Sequence, residues 1–223
     1  MNNRFKLMTV FTAFIFTALI FVAGCVNYDQ KTTIKEDGSG TMKIHYWSNI
    51  KNFSMGTTLG KFEFEEPKVK DKYKSSNSEV TSIKIEDKLD DSTKHVYIDL
   101  TFKDVNKLKD AKGFEGVNSS WKEVTDGMEL KYTLLKDTTA ANLFNASDYK
   151  VIYEFTMPAD IVSTNGSKDG QTVKYSHTLG DLGKDIEMTT VVKKPKGKLC
   201  GMFGLVMSTM LIGFAFYRQR KKK

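Results

Sequence analysis

Between residues 81 and 102 the chain alternates apolar and polar side chains at every second position: Thr81, Ile83 and Ile85, then Val96, Ile98, Leu100 and Phe102. A period of two puts successive side chains on opposite faces of a strand, so one face is core and the other is wet, which is the pattern of an antiparallel sheet. Asp90-Asp91-Ser92 interrupts the run and makes it a hairpin. An earlier hairpin is expected where Thr33, Ile34, Met42, Ile44 and Tyr46 flank the turn cluster Glu36-Asp37-Gly38-Ser39-Gly40. A third is expected where Trp121 precedes Asp126-Gly127, a two-residue turn, and Met128, Leu130, Tyr132 and Leu134 follow it. Val151, Tyr153, Phe155 and Met157 read as a strand closed by Pro158, with two more strands at Val173–Tyr175 and Ile186–Met188.

Helical signals are short. Asp104 is placed to cap a helix bearing Val105 and Leu108 that stops at Gly113, and Ala140, Leu143 and Phe144 suggest another. Residues 51–78, with Pro67 and Ser75-Ser76-Asn77-Ser78, keep no sustained period apart from Phe62 and Phe64 and read as loop. The expected class is α+β: a largely antiparallel β-sheet with short inserted helices, plus one C-terminal transmembrane helix.

The helix is expected from the run 199–217, which carries no charge and is followed by Arg218, Arg220, Lys221, Lys222 and Lys223, a positive cluster of the kind that marks the cytoplasmic side of a span. At the other end, Arg4 and Lys6 precede an apolar run from Leu7 to Val22, as in a secretory signal. The tetrad Val22-Ala23-Gly24-Cys25 resembles the lipobox of bacterial lipoproteins, in which the cysteine becomes the lipidated first residue. Acyl chains there would each add roughly 0.8 kcal/mol of membrane affinity per buried methylene. The expected organisation is a signal peptide over 1–24, an extracytoplasmic domain over 25–198, a transmembrane helix over 199–217 and a basic cytoplasmic tail over 218–223. Both anchors would then hold the domain on the outer face of the cell membrane.

The net charge of +7 invites a nucleic-acid reading until the charges are located. Arg4, Lys6 and the five cations after Tyr217 account for all of it, and residues 26–198 balance 27 lysines against the chain's 27 acids. That stretch has no arginine, the residue suited to bidentate phosphate and base-edge contacts. Nucleic acid is therefore not an expected partner, and any lipid binding is expected to be apolar in mode. The two cysteines, Cys25 and Cys200, flank the domain, so it needs no internal disulfide.

The strand Tyr153-Glu154-Phe155-Thr156-Met157-Pro158, then Asn165-Gly166 and Asp169-Gly170-Gln171-Thr172-Val173, resembles the LppM-like domain family of bacterial membrane lipoproteins. The layout is similar over nearly the full length: lipobox, early strand pair with a glycine-containing turn, a strand then a helix around 102–108, and a closing membrane helix. Tyr175 stands where the pattern has tryptophan. The resemblance implies an α+β envelope domain and, for the mycobacterial member, an association with lipid binding. It supplies no catalytic motif.

Chemistry-bearing patterns are few. His45, His95 and His177 are far apart, outside H-E-x-x-H, and no cysteine of the domain could join them on a metal. His45 and His95 fall between core-facing neighbours and are expected as solvated residues on the wet face. There is no G-x-S-x-G, P-loop or G-x-G-x-x-G, so neither enzymatic activity nor a cofactor is expected. Tyr46, Trp47, Phe53, Phe62, Phe64, Phe114 and Trp121 are candidates for lining a pocket or meeting lipid. The expected function is that of a non-enzymatic envelope protein binding membrane lipid or another apolar ligand. The alternative is a module recruiting an envelope protein partner through an exposed apolar patch.

Overall fold

The computed structural model describes residues 26–53, 56–143 and 145–194. Strands β1 (Asn27–Ile34) and β2 (Gly40–Asn49) form the first hairpin, with Ile34 opposite Gly40. Its turn closes through Lys35 N donating to Ser39 O at 2.8 Å and Gly38 N donating to Lys35 O at 3.0 Å, with Gly38 at φ +80°. Strands β3 (Thr58–Leu59) and β4 (Phe62–Glu63) make a small separate ribbon, followed by helix α1 (Glu66–Tyr73). Next come β5 (Ser78–Lys88) and β6 (Thr93–Phe102), then β7 (Val117–Val124) and β8 (Gly127–Leu134), the second and third expected hairpins. A single-turn helix α2 (Thr138–Ala141) precedes β9 (Lys150–Thr156), β10 (Ile161–Thr164), β11 (Ser167–Asp169), β12 (Thr172–Thr178) and β13 (Ile186–Val192).

Seven strands form one sheet in the order β11-β12-β9-β1-β2-β6-β5, and four form a second in the order β10-β13-β8-β7. The inner faces meet through contacts such as Tyr132 on β8 with Tyr153 and Phe155 on β9, at 5.5 and 5.2 Å between ring centroids. Ile44, Ile98, Leu100, Leu130 and Met188 are all about fully buried in the shared core. Burying each such side chain contributes roughly 1.5–3 kcal/mol.

The expectation of a largely antiparallel sheet is corrected at its centre. β1 pairs β9 in parallel, Tyr28 opposite Val151 and Thr32 opposite Phe155, so the large sheet is mixed. Alternation reports which face of a strand is wet, and that pattern is the same for either direction of pairing. A parallel neighbour needs a long crossover, and here the chain between β1 and β9 supplies β2, β5 and β6 to one sheet and β7 and β8 to the other.

The membrane helix is a second correction. No helix among the described residues is long and apolar enough to cross a membrane. The longest, α1, has 8 residues, about 12 Å at 1.5 Å per residue against a hydrocarbon core of about 30 Å. The run 199–217 and Cys25 lie outside the described residues. The location held at both ends by a lipid and a span has no helix among the described residues to support it and is not retained.

Residues 51–78 are more ordered than a loop. Pro67 sits in the first turn of α1, where its missing N–H costs nothing, and Val69 and Tyr73, four apart on one face, are buried. The expected helix after Asp104 is a 3₁₀ turn over Val105–Asp110, with the Asp104 carboxylate accepting from Asn106 N at 2.9 Å. Gly113 does not end it. A Cβ there would lie 2.5 Å from the Tyr73 ring, so the missing side chain is what admits Tyr73.

Candidate functional site

Between the two sheets the core opens into a cavity of about 410 Å³, within the roughly 300–1,000 Å³ typical of small-molecule sites. Tyr28 on β1 and Val151 and Tyr153 on β9 form one wall; Val117 on β7 and Tyr132 and Leu134 on β8 form the other. Tyr73 from α1, Phe114 and Phe62 close one end, and Leu143, Leu179 and Leu182 another side. The strand period places these side chains: 28, 151, 153, 132 and 134 are the inward positions of their strands, where each burial pattern alternates.

The tyrosines are locked by packing and hydrogen bonds. Tyr28 and Tyr153 lie 5.5 Å apart between centroids, as do Tyr132 and Tyr153, and Tyr73 meets Phe114 edge-on at 5.4 Å. Tyr28 Oη donates to Gln30 Oε1 at 2.7 Å, and Gln30 Nε2 donates to Thr32 Oγ1 at 3.0 Å. Gln30 is fully buried, so this short network satisfies a side chain that would otherwise be costly there. Burial raises the pKa of Tyr28, Tyr73, Tyr132 and Tyr153 above the ordinary phenol value. These phenols therefore stay neutral at physiological pH, and with the aliphatic side chains beside them they can enclose an apolar group, while Lys61, Lys72, Lys112, Glu115 and Asp137 supply the charged part of the lining.

Of the seven aromatic residues singled out from sequence, Phe62 and Phe114 line the cavity. Tyr46, Phe53 and Phe64 form a cluster behind Phe62, with Tyr46 to Phe62 at 5.1 Å, Tyr46 to Phe64 at 5.2 Å and Phe53 to Phe64 at 4.6 Å. Trp121 is structural: its Nε1 donates to Glu36 O at 3.2 Å and its ring packs under Gly38. Tyr28, Tyr73, Tyr132 and Tyr153 were not singled out, although Tyr132 and Tyr153 sit in alternating runs.

Trp47, His45 and His95 lie on the opposite, outward face of the large sheet. His95 is nonetheless buried, at 4% exposure, and does not behave as a solvated residue. His45 Nε2 and His95 Nδ1 are 2.8 Å apart, with rings inclined by 15°. The hydrogen positions follow from the chain of contacts. Thr93 donates its single hydroxyl hydrogen to Asp91, so Thr93 Oγ1 accepts from His95 Nε2 at 2.6 Å. His95 Nδ1 is then the acceptor and His45 Nε2 the donor. Tyr97 stacks on His45 at 4.2 Å and Trp47 at 4.5 Å. Desolvation, then the neighbouring His95 and Lys88, hold the His45 pKa down to about 4. No group of three or more His, Cys, Asp or Glu is placed to hold a metal ion among the described residues. His177 is remote from this pair on β12, its Nε2 buried without a hydrogen-bond partner. Cys25 lies outside the described residues.

The profile of the family described as the LppM domain matches residues 52–193 of this chain. No curated protein matches it. Among solved structures, the NMR structure of the folded domain of Mycobacterium tuberculosis LppM is similar with a TM-score of 0.45 and 16% sequence identity, covering 78% of this chain and 93% of that one. The family match begins after β2, yet β1 and β2 occupy the middle of the large sheet, so the folded unit extends back to residue 26.

Proposed function

Starting from the fact that this chain belongs to the LppM domain family, more than half of it being matched, we propose that it is a non-enzymatic envelope protein that holds an apolar ligand, such as a lipid acyl chain, between its two sheets. The observation that carries this reading is the cavity of about 410 Å³, whose lining is mainly aromatic and aliphatic with a minority of charged residues. Close packing ordinarily leaves few voids larger than a water molecule, and an apolar void of this size gains dispersion contacts and excludes water when a hydrocarbon chain fills it.

The competing reading, recruitment of another envelope protein, calls for an exposed apolar patch. Among the described residues the exposed large apolar side chains are Leu89, in the turn between β5 and β6, and Val162 on β10, single residues on different elements. The cavity reading is favoured accordingly. The site proposed for lipid attachment is Cys25, supported by the Val22–Cys25 tetrad alone; intact mass of the mature chain tests it, and a mass without added acyl groups contradicts it.

Native mass spectrometry of the purified full chain tests the ligand. An apolar molecule retained on the wild type and lost from Val117→Trp, which fills the cavity from β7, is expected. A chain that carries nothing, or carries the same molecule after that substitution, contradicts the reading.

A further inference from the structure

The outward face of the large sheet, turned away from the cavity, carries a second depression of about 360 Å³. Its walls are Asp29 and Lys31 from β1, Lys43 and His45 from β2, and Tyr97 and Asp99 from β6. Its floor is strand backbone at Ile44 and Ile98, whose side chains are buried in the core beneath. With polar groups all around it, the depression rewards a polar ligand and gives an apolar one little.

Strand register sets these side chains in two rows. Asp29 stands opposite His45, and His45 opposite Tyr97; two residues along, Lys31 stands opposite Lys43, and Lys43 opposite Asp99. The rise of the strands separates the rows by roughly 7 Å. In the second row two ammonium groups face one another directly, which costs stability unless an anion comes between them. Glu154 reaches Lys31 from its far side, at 3.9 Å, and Lys43 is in no ion pair among the described residues although Asp99 is its neighbour on β6. In the first row Asp29 is part-buried, its Oδ1 shut from solvent with no hydrogen-bond partner among the described residues. Desolvation, opposed by Lys31, raises its pKa. His45 beside it is held in place: its Nε2 donates to His95 and its ring stacks on Tyr97 at 4.2 Å, which leaves Nδ1 as the acceptor of the ring.

A carboxylate short of a donor and, one row on, two facing lysines with no anion between them are complementary to a molecule that carries an ammonium and a carboxylate a few Å apart. Both contacts are charge-assisted hydrogen bonds, the stronger kind. The lining balances two acids against two lysines, so it exerts little net pull on a simple anion or a simple cation. We propose that this depression binds a small zwitterion of the free amino acid or short unblocked peptide class, its ammonium against Asp29 and its carboxylate between Lys31 and Lys43. The site is separate from the cavity and does not depend on what the cavity holds.

The test titrates the full chain with glycylglycine and three analogues: glycylglycine amide, which keeps only the ammonium, N-acetylglycylglycine, which keeps only the carboxylate, and N-acetylglycylglycine amide, which has neither charge. Backbone amide NMR shifts read the binding. Glycylglycine is expected to shift Asp29, Lys31, Lys43 and His45 saturably, and each analogue to need roughly tenfold more or beyond to do the same. Asp29→Asn and Lys43→Gln should each remove most of that preference. Both should leave the Tm of the free chain unchanged or raised, because one sheds a desolvated carboxylate and the other a like-charge pair. An Asp29→Asn chain that melts earlier and still binds glycylglycine as before assigns Asp29 to the fold and overturns the proposal. Equal binding of glycylglycine amide leaves only a cation site at Asp29, equal binding of N-acetylglycylglycine only an anion site between the lysines, and equal binding of the doubly blocked peptide only amide recognition; each overturns the zwitterion. Shifts that are absent from these residues, or that do not saturate, overturn the site itself.

Discussion

His45 Nε2 meets His95 Nδ1 at 2.8 Å although the two residues are 50 positions apart, because β2 pairs β6 with Tyr46 opposite Val96. That register puts His45 opposite Tyr97 and Trp47 opposite His95, so the two imidazoles are diagonal neighbours on the outward face. The pair is joined at neutral pH by one hydrogen, and its hydroxyl and carboxylate neighbours fix which nitrogen carries it.

A pH dependence follows. His45 has a folded pKa of about 4 against an ordinary value of 6.5, lowered by desolvation, by His95 and by Lys88. His95 is lowered too, first by desolvation. A base whose folded pKa is depressed takes up protons more readily when unfolded, so its contribution to stability is fully present above about pH 6.5 and is lost as pH falls toward 4. Thermal unfolding of the full chain should show Tm falling across that window. His95→Ala should raise the His45 pKa toward 6.5, read by the NMR shift of its ring protons. A His45 that titrates near 6.5 in the unmodified protein contradicts the hydrogen-bonded pair.

Gly127 has φ +149°, and a Cβ there would stand 1.9 Å from Val192 O on the neighbouring β13. Gly170 has φ +58° with open space where its Cβ would go. Gly127→Ala combines backbone strain with a clash against main chain, and is expected to cost about 2–4 kcal/mol. Gly170→Ala should cost only about 1 kcal/mol, from the left-handed backbone alone. Urea unfolding of the two variants distinguishes them, and equal costs contradict the close approach at Gly127.

Tyr28→Phe removes the hydroxyl that donates to Gln30 Oε1 and leaves that oxygen without its 2.7 Å partner in a fully buried site. Tyr132 Oη, 3.5 Å from the same oxygen, is its remaining and longer-range donor, so the expected loss is about 1–2 kcal/mol. Tyr28→Phe with Gln30→Leu removes both partners and should recover part of it. A double variant less stable than the single one contradicts the network.

The three hairpins were legible because a period of two and a turn cluster act locally, although the third turn is shifted by one residue from the expected Asp126-Gly127: Val124 stands opposite Gly127, the first residue of β8, and Thr125-Asp126 make the turn. Asn165-Gly166 forms the bend between β10 and β11. Gly166 does not take a positive φ, and Asn165 instead binds across to β13, its Oδ1 accepting from Thr189 N at 2.8 Å and its Nδ2 donating to Glu187 O at 2.8 Å. The β1–β9 parallel pair was hidden because alternation carries no direction. Helix α1 was hidden because only Val69 and Tyr73 mark its buried face and Pro67 resembles a loop signal. The cavity was hidden for a related reason: Tyr132 and Tyr153 face inward with the same period whether they meet another side chain or an open space. The histidine pair depends on β2 lying beside β6, strands of different hairpins, which no local pattern reports.

The central claim, that a hydrocarbon chain lies between the two sheets, is tested most directly by mapping where an acyl chain bearing a diazirine crosslinks to the full chain. Peptide mass spectrometry should place the adducts on Tyr28, Tyr132, Val151 and Tyr153, four inward residues from three strands of two sheets, with labelling that saturates at one probe per chain. Adducts confined to the outward face around Trp47 and Tyr97, or scattered without saturation, would contradict it.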